Sequence, residues 1–205
     1  MQANSLIGSQ VIEWRGPSHA HINDLCFATW HFDGGEDFRA AFALSGEDIA
    51  PQVTVPYGNG SIKQSKASEI MKINVAKREA QKEYMEFWNK SASQSNTGRP
   101  IDAVICPCAP FAAARPTMYY YYGYTTWINL LDYTSVIVPV TRVDKNIDKA
   151  DSDYKALNKI DEKCHKAYDP EIYDGAYVGV QLVGRRLQEE KMLAIADVAA
   201  EALKV

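Results

Sequence analysis

No glycine-rich phosphate loop, no paired set of zinc-type cysteines and no long apolar run occurs in this chain of 205 residues. Each absence removes a class of function. Gly175, Gly179 and Gly184 are too scattered to form a dinucleotide-binding fingerprint. No apolar stretch approaches the roughly 20 residues that a helix needs to cross a bilayer, so no membrane partner is expected. Lysine and arginine number 22 against 26 acidic residues, a formal net charge of −4. That balance lacks the positive excess that holds nucleic acid, and no nucleic-acid partner is expected. The four cysteines (Cys26, Cys106, Cys108, Cys164) are irregularly spread, and Cys106-Pro107-Cys108 has no second pair to complete a zinc site. The first residues do not carry a signal peptide's charged and apolar regions. Free thiols in a reducing, cytoplasmic setting follow as the expectation.

Histidine is also scarce. His19 and His21 are two apart, and on a helix such positions point to opposite sides. With His31 they suggest a metal site only to the eye, since no His-Glu-x-x-His pattern is present. Asp33-Gly34-Gly35 is followed by acidic residues but lacks the oxygen spacing of a calcium loop. Neither a metal nor a cofactor is expected.

What is present is an apolar content of 46%. A complete domain of this size buries roughly 70% of its unfolded surface. The pattern predicts a short strand over 10–14, halted by Gly16-Pro17, after a possible helical tail over 1–9. Ser18 can cap a helix running to about Phe32, and Asp33 with Glu36 resembles a capping box for a helix through Phe38, Ala41, Phe42 and Leu44. Pro51, Pro56, Gly58 and Gly60 mark 45–65 as a loop. A long helix is predicted over 66–90, where Ile70, Ile73, Lys77, Ala80, Tyr84 and Phe87 recur at spacings of three and four. Further strands are predicted over 101–106, 135–140 and 178–183, a helical turn over 127–131, and helices over 154–168 and 187–203. In the last helix Leu187, Ile195 and Leu203 are expected to face the core. Continuous apolar strands alternating with helices argue for an α/β fold whose sheet is covered on both faces, in one domain over 1–205.

Candidate chemistry is sparse. Ser152-Asp153-Tyr154-Lys155 matches Ser-x-x-Lys, in which one helical turn brings an amine to a hydroxyl. It lies in a highly charged connection and lacks the companion motifs of such acylases. Ser61, Lys63, Ser65 and Lys66 cluster before the long helix, where capping and solvation explain them equally well. The most unusual composition is Tyr119 to Tyr122 with Tyr124 and Trp127. It follows a strand's carboxyl end, where open α/β sheets bind ligands, so it reads either as a pocket wall or as aromatic packing with wetted hydroxyls.

Five stretches together carry a resemblance: "VIEWRGPSHAHINDL", "DGGEDF", "IDAVICPCAP", "YTTWINLLDYTSVIVPVTRVDKNID" and "DPEIYDGAYVGVQLVGRRLQEEKMLAIA". In this order they resemble the C-terminal part of the amidase signature family, in its fungal acetamidase-like (general amidase) group. The resemblance implies a partial amidase-signature fold, a mixed sheet flanked by helices, with the N-terminal catalytic half missing. It also implies hydrolysis of small carboxylic amides to acid and ammonia or amine in the intact enzyme. Family members use a serine nucleophile, a second serine on a cis peptide and a lysine, with a Gly-Ser-Ser-Gly-Gly stretch helping to build the oxyanion hole. None of these motifs occurs in the sequence, so no catalytic residue is assigned and the chain alone is expected to be inactive. Thr134 and Tyr177 stand where relatives often carry proline. By motif position the substrate-pocket candidates are Cys106, Trp127 and Asn129. The alternative is a non-catalytic interaction protein or pseudoenzyme remnant, self-associating through apolar surface that a missing half would cover.

Overall fold

A computed structural model describes residues 9–57, 60 and 62–203. In chain order it contains α1 (His19–Trp30), α2 (Glu36–Ser45), α3 (Pro51–Tyr57), α4 (Ala67–Lys90), β1 (Val104–Pro107) and α5 (Gly123–Leu131). Then come β2 (Thr134–Arg142), α6 (Lys159–Lys166), α7 (Pro170–Tyr173), β3 (Tyr177–Gly184) and α8 (Glu189–Ala202). The helical tail expected over 1–9 falls almost wholly outside the described residues.

The strands form one sheet in the order β1-β3-β2, with both pairings antiparallel. Residues directly opposite in such a ladder share a face, and successive residues alternate faces. Leu182 lies opposite Ile105 and Val136, and it packs with Val138 against Met192 and Ala196 of α8. Its neighbour Val183 lies opposite Val104 on the other face and joins the core made by α1, α4 and α5. The central strand is thus buried on both sides, which is why "VGVQLVG" is apolar almost throughout. Pro139 adjoins a bulge in the outer strand β2, a setting in which strands tolerate proline.

The helical core is aromatic. Ala80, Tyr84 and Trp88 recur every four residues along α4 and are buried. The Tyr84 hydroxyl meets the Trp14 indole Nε1 at 3.3 Å and His19 Nε2 at 3.0 Å. Trp88 Nε1 donates to the Ile101 carbonyl at 3.0 Å. The buried polar tips of Tyr84 and Trp88 therefore both find partners, as a low-dielectric interior favours.

Several expectations are corrected. Residues 10–14 form no strand. They are tied to the molecule by side chains instead, with Trp14 edge-on to Phe87 at 4.8 Å and Trp88 at 5.3 Å. The loop expected over 45–65 contains α3, begun by Pro51, a residue preorganised for a helix's first turn. Asp33 does cap, accepting from Gly35 N at 2.8 Å and Asp37 N at 2.9 Å, but the residue at the N-cap of α2 is Gly35. Those backbone donors hold the Asp33 carboxyl below its usual range. The helix expected over 154–168 is confined to α6, because the Asn158 side chain accepts from Ile160 N and Asp161 N and sets the start there. Leu187 is 77% exposed with φ of 59°, outside α8, whereas Ile195 and Leu203 do pack on the sheet. Gly184 ends β3 where any Cβ would collide with the Met192 side chain.

Candidate functional site

The end of β1 and the aromatic segment before α5 meet at one buried amide. Gln181 of β3 is 1% exposed, and its Nε2 donates to the carbonyls of Pro107 and Tyr124, each at 2.7 Å. Both N–H groups of one side chain are used, so a single residue clamps the strand end to the first turn of α5. The Tyr124 carbonyl also accepts from Trp127 Nε1 at 3.0 Å. Gln181 matches no catalytic motif in the sequence. Its signal was a lone amide in an otherwise apolar run, since a buried polar side chain must have partners. Replacing it with leucine is expected to cost about 2 kcal/mol by stranding the Pro107 carbonyl, read as a lower midpoint in urea unfolding.

Around this clamp lie the thiols and phenols. Cys106 lies opposite Gln181 in the ladder, and burial pushes its thiol above its ordinary range. Cys108 Sγ donates to the Gly179 carbonyl at 3.7 Å. Tyr119 packs on Tyr122 at 4.7 Å between ring centres, and Tyr121 on Tyr124 at 5.3 Å. Tyr122 hydroxyl donates to the Gln52 carbonyl at 2.5 Å, joining this segment to α3. Burial raises the phenols of Tyr119, Tyr122 and Tyr124, which keeps them neutral hydrogen-bond donors. A wall of this kind can hold a planar or apolar group. It offers no activated nucleophile.

The three pocket candidates do not converge. Cys106 borders the core beneath the aromatic segment. Trp127 is only 2% exposed, stacked on His19 at 4.9 Å and Tyr84 at 5.5 Å. Asn129 is exposed on α5. The histidines are equally dispersed: His19 is bonded to Tyr84, His21 is exposed, and His31 caps the end of α1.

His19 gives this region a pH dependence. Burial lowers its pKa from the ordinary 6.5. Below that pH the unfolded chain binds a proton that the folded chain resists, so this contribution to stability is full above about pH 6.5 and is lost as pH falls through the folded value. The midpoint of urea unfolding should fall between about pH 7 and 5, with a slope of at most ~1.4 kcal/mol per pH unit from this group. A His19→Gln variant should show a flatter profile.

Ser152 and Lys155 lie in exposed, non-helical chain ahead of α6, so no helical turn brings the amine to the hydroxyl. Ser152 shares an open cleft of about 620 Å³ with His165, but His165 Nε2 is engaged by the Asp151 carbonyl at 2.9 Å. Among the described residues no serine or cysteine side chain is hydrogen-bonded to a histidine or lysine side chain. No helix among them is long and apolar enough to cross a membrane.

Comparison with known proteins bears on the same residues. A family model described as "Amidase" matches residues 4–193. An acetamidase of Emericella nidulans is 40% identical over 190 residues, covering 93% of this chain and 34% of the relative. An acetamidase of Aspergillus oryzae is 38% identical over 196 residues, covering 96% of this chain and 35% of the relative. Among solved structures, a fatty acid amide hydrolase superposes with a TM-score of 0.82 at 23% identity, over 97% of this chain and 34% of that one. The last shows the shared α/β fold. The chain spans about a third of the length of the curated relatives that it matches.

Proposed function

Because the chain belongs to the amidase family, we propose that its residues form the scaffold and part of the pocket wall of a hydrolase of small carboxylic amides. The observation that carries this reading is the match to acetamidases along nearly the whole chain, at 40% and 38% identity. Amide cleavage adds water across the C–N bond to give a carboxylic acid and ammonia or an amine. An amide is a poor electrophile with a poor leaving group, so the reaction needs an activated nucleophile, oxyanion donors and a proton for the departing nitrogen. The serine and lysine chemistry of the family belongs, in this reading, to polypeptide beyond these residues. The strand end at Cys106, which packs on the core that holds Trp127, is the proposed wall for the acyl group, and Asn129 lies outside it. No cofactor is required, and the compartment proposed is the cytoplasm.

A hybrid tests the scaffold role. When these residues replace the matching third of the Emericella nidulans acetamidase, the folded hybrid should release ammonia from acetamide. A hybrid with native-like circular dichroism and no activity would overturn the proposal.

A second reading, self-association, is favoured by one observation. The outer strands β1 and β2 each leave one edge unpaired among the described residues, and Ile105 and Ile137 on them are 53% and 49% exposed. Such edges invite pairing with a second copy. Light scattering should then report a dimer or larger species, and a monodisperse monomer would count against it.

A further inference from the structure

At the C-terminal end of β3, away from the Gln181 clamp, lies a cleft of about 700 Å³. Arg78 and Lys82 of α4 form one wall, and Arg185 and Arg186, in the turn before α8, form the other. Leu131 and Tyr133 lie between them. Among the described residues, four cations therefore line a concavity with one carboxylate, Asp132, in a chain whose net charge is −4. Like charges brought together in this way repel one another, and an anionic ligand relieves that cost.

The carboxylates nearby do not neutralise the cleft. Asp132 pairs with Arg186 at 2.7 Å, and both side chains are more than half exposed. Lys82 reaches Glu86 only at 3.9 Å, on the solvent side of α4. Arg185 donates from Nη1 to the neutral Asn89 Oδ1 at 3.2 Å, which orients its guanidinium without cancelling its charge. Among the described residues Arg78 has no carboxylate partner. The volume lies in the range of small-molecule sites. Guanidinium groups on facing walls suit a ligand with separated oxyanion groups, because each fork matches a carboxylate or phosphate edge.

We propose that this cleft binds a small multivalent oxyanion, a polyphosphate or polycarboxylate, held between Arg78 and Lys82 on one side and Arg185 and Arg186 on the other. This site is independent of amide hydrolysis, and its test does not read activity. The 205-residue chain is titrated calorimetrically with inorganic pyrophosphate and, separately, with citrate, at about 20 mM and about 200 mM salt. One-to-one saturable binding of at least one probe is expected, weaker at high salt. Binding of pyrophosphate alone assigns a polyphosphate site, binding of citrate alone a polycarboxylate site, and binding of both the shared class. Arg78→Gln and Arg185→Gln should each weaken binding about tenfold, and Arg185→Lys should recover part of the loss. Lys63→Gln, on the exposed loop ahead of α4, should change it less than about twofold. Among the described residues Arg78 holds no carboxylate, so its variant keeps the test decisive if Arg185→Gln unfolds. The proposal is overturned if neither probe binds at low salt, or if Lys63→Gln weakens binding as much as Arg78→Gln does.

Discussion

Gly35→Ala should lower stability by about 3 kcal/mol or more, one of the largest effects of any single methyl group in this molecule. Gly35 has φ of 76°, a left-handed conformation that costs an L-residue roughly 1–2 kcal/mol. A Cβ there would also collide with the backbone carbonyl of Tyr57 at the end of α3, which cannot swing aside as a side chain can. Its neighbour Gly34, with φ of 66°, is pressed in the same way by the backbone of Ile62, 2.7 Å from a built Cβ. The "DGG" sequence thus records a close crossing of two chain segments. Gly46→Ala is the control. Its φ is 71°, yet nothing lies within 4 Å of a built Cβ, so it should cost only the conformational part, about 1 kcal/mol. For a chain of this size the thermal midpoint should drop roughly 6–12 °C in the first variant and roughly 2–4 °C in the second. Equal shifts would mean that the contact with Tyr57 contributes nothing.

Trp127→Ala should cost about 3–5 kcal/mol, the range for removing a large buried aromatic side chain. The indole is enclosed by His19, Tyr84 and the carbonyl of Tyr124, and its loss leaves a cavity among groups that hold their rotamers by stacking. The hydrogen bond between His19 and Tyr84 loses its packing support at the same time, so the pH profile assigned to His19 should flatten as well. Asn129→Ala, two residues on but exposed, should stay within about 0.5 kcal/mol of the parent. Guanidinium unfolding of the two variants distinguishes the roles directly. A Trp127→Ala protein of parental stability would place the indole at a surface instead of in a core.

The elements that were legible in the sequence are those whose pattern is self-sufficient. The long α4 announces itself by apolar residues at every third or fourth position, and β3 by an apolar run, interrupted only at Gln181, that is buried from both sides. Ser18 caps α1 with its own hydroxyl, as a local rule allows. The misses depend on partners distant in sequence. Residues 10–14 have strand composition, but among the described residues no strand pairs with them; Trp14 finds α4 some seventy positions away instead. Proline and glycine between 45 and 65 suggested a loop, whereas Pro51 opens a helix held in part by the Tyr122 hydroxyl. Of the site, motif position brought attention to the strand end at Cys106 and to α5. It could not show that Trp127 points inward and Asn129 outward, because burial on a short helix is decided by what packs against it. Gln181, which joins the two segments, and the arginines flanking the second cleft act only through spatial neighbours.

The most direct test of the scaffold reading is an amide hydrolysis assay on the purified 205 residues alone. Incubated with acetamide and with benzamide, the folded chain should release no ammonia above the buffer control, since no Gly-Ser-Ser-Gly-Gly stretch occurs in these residues. Steady turnover of either amide, abolished by a serine-directed acylating reagent, would contradict it and place a nucleophile within this chain.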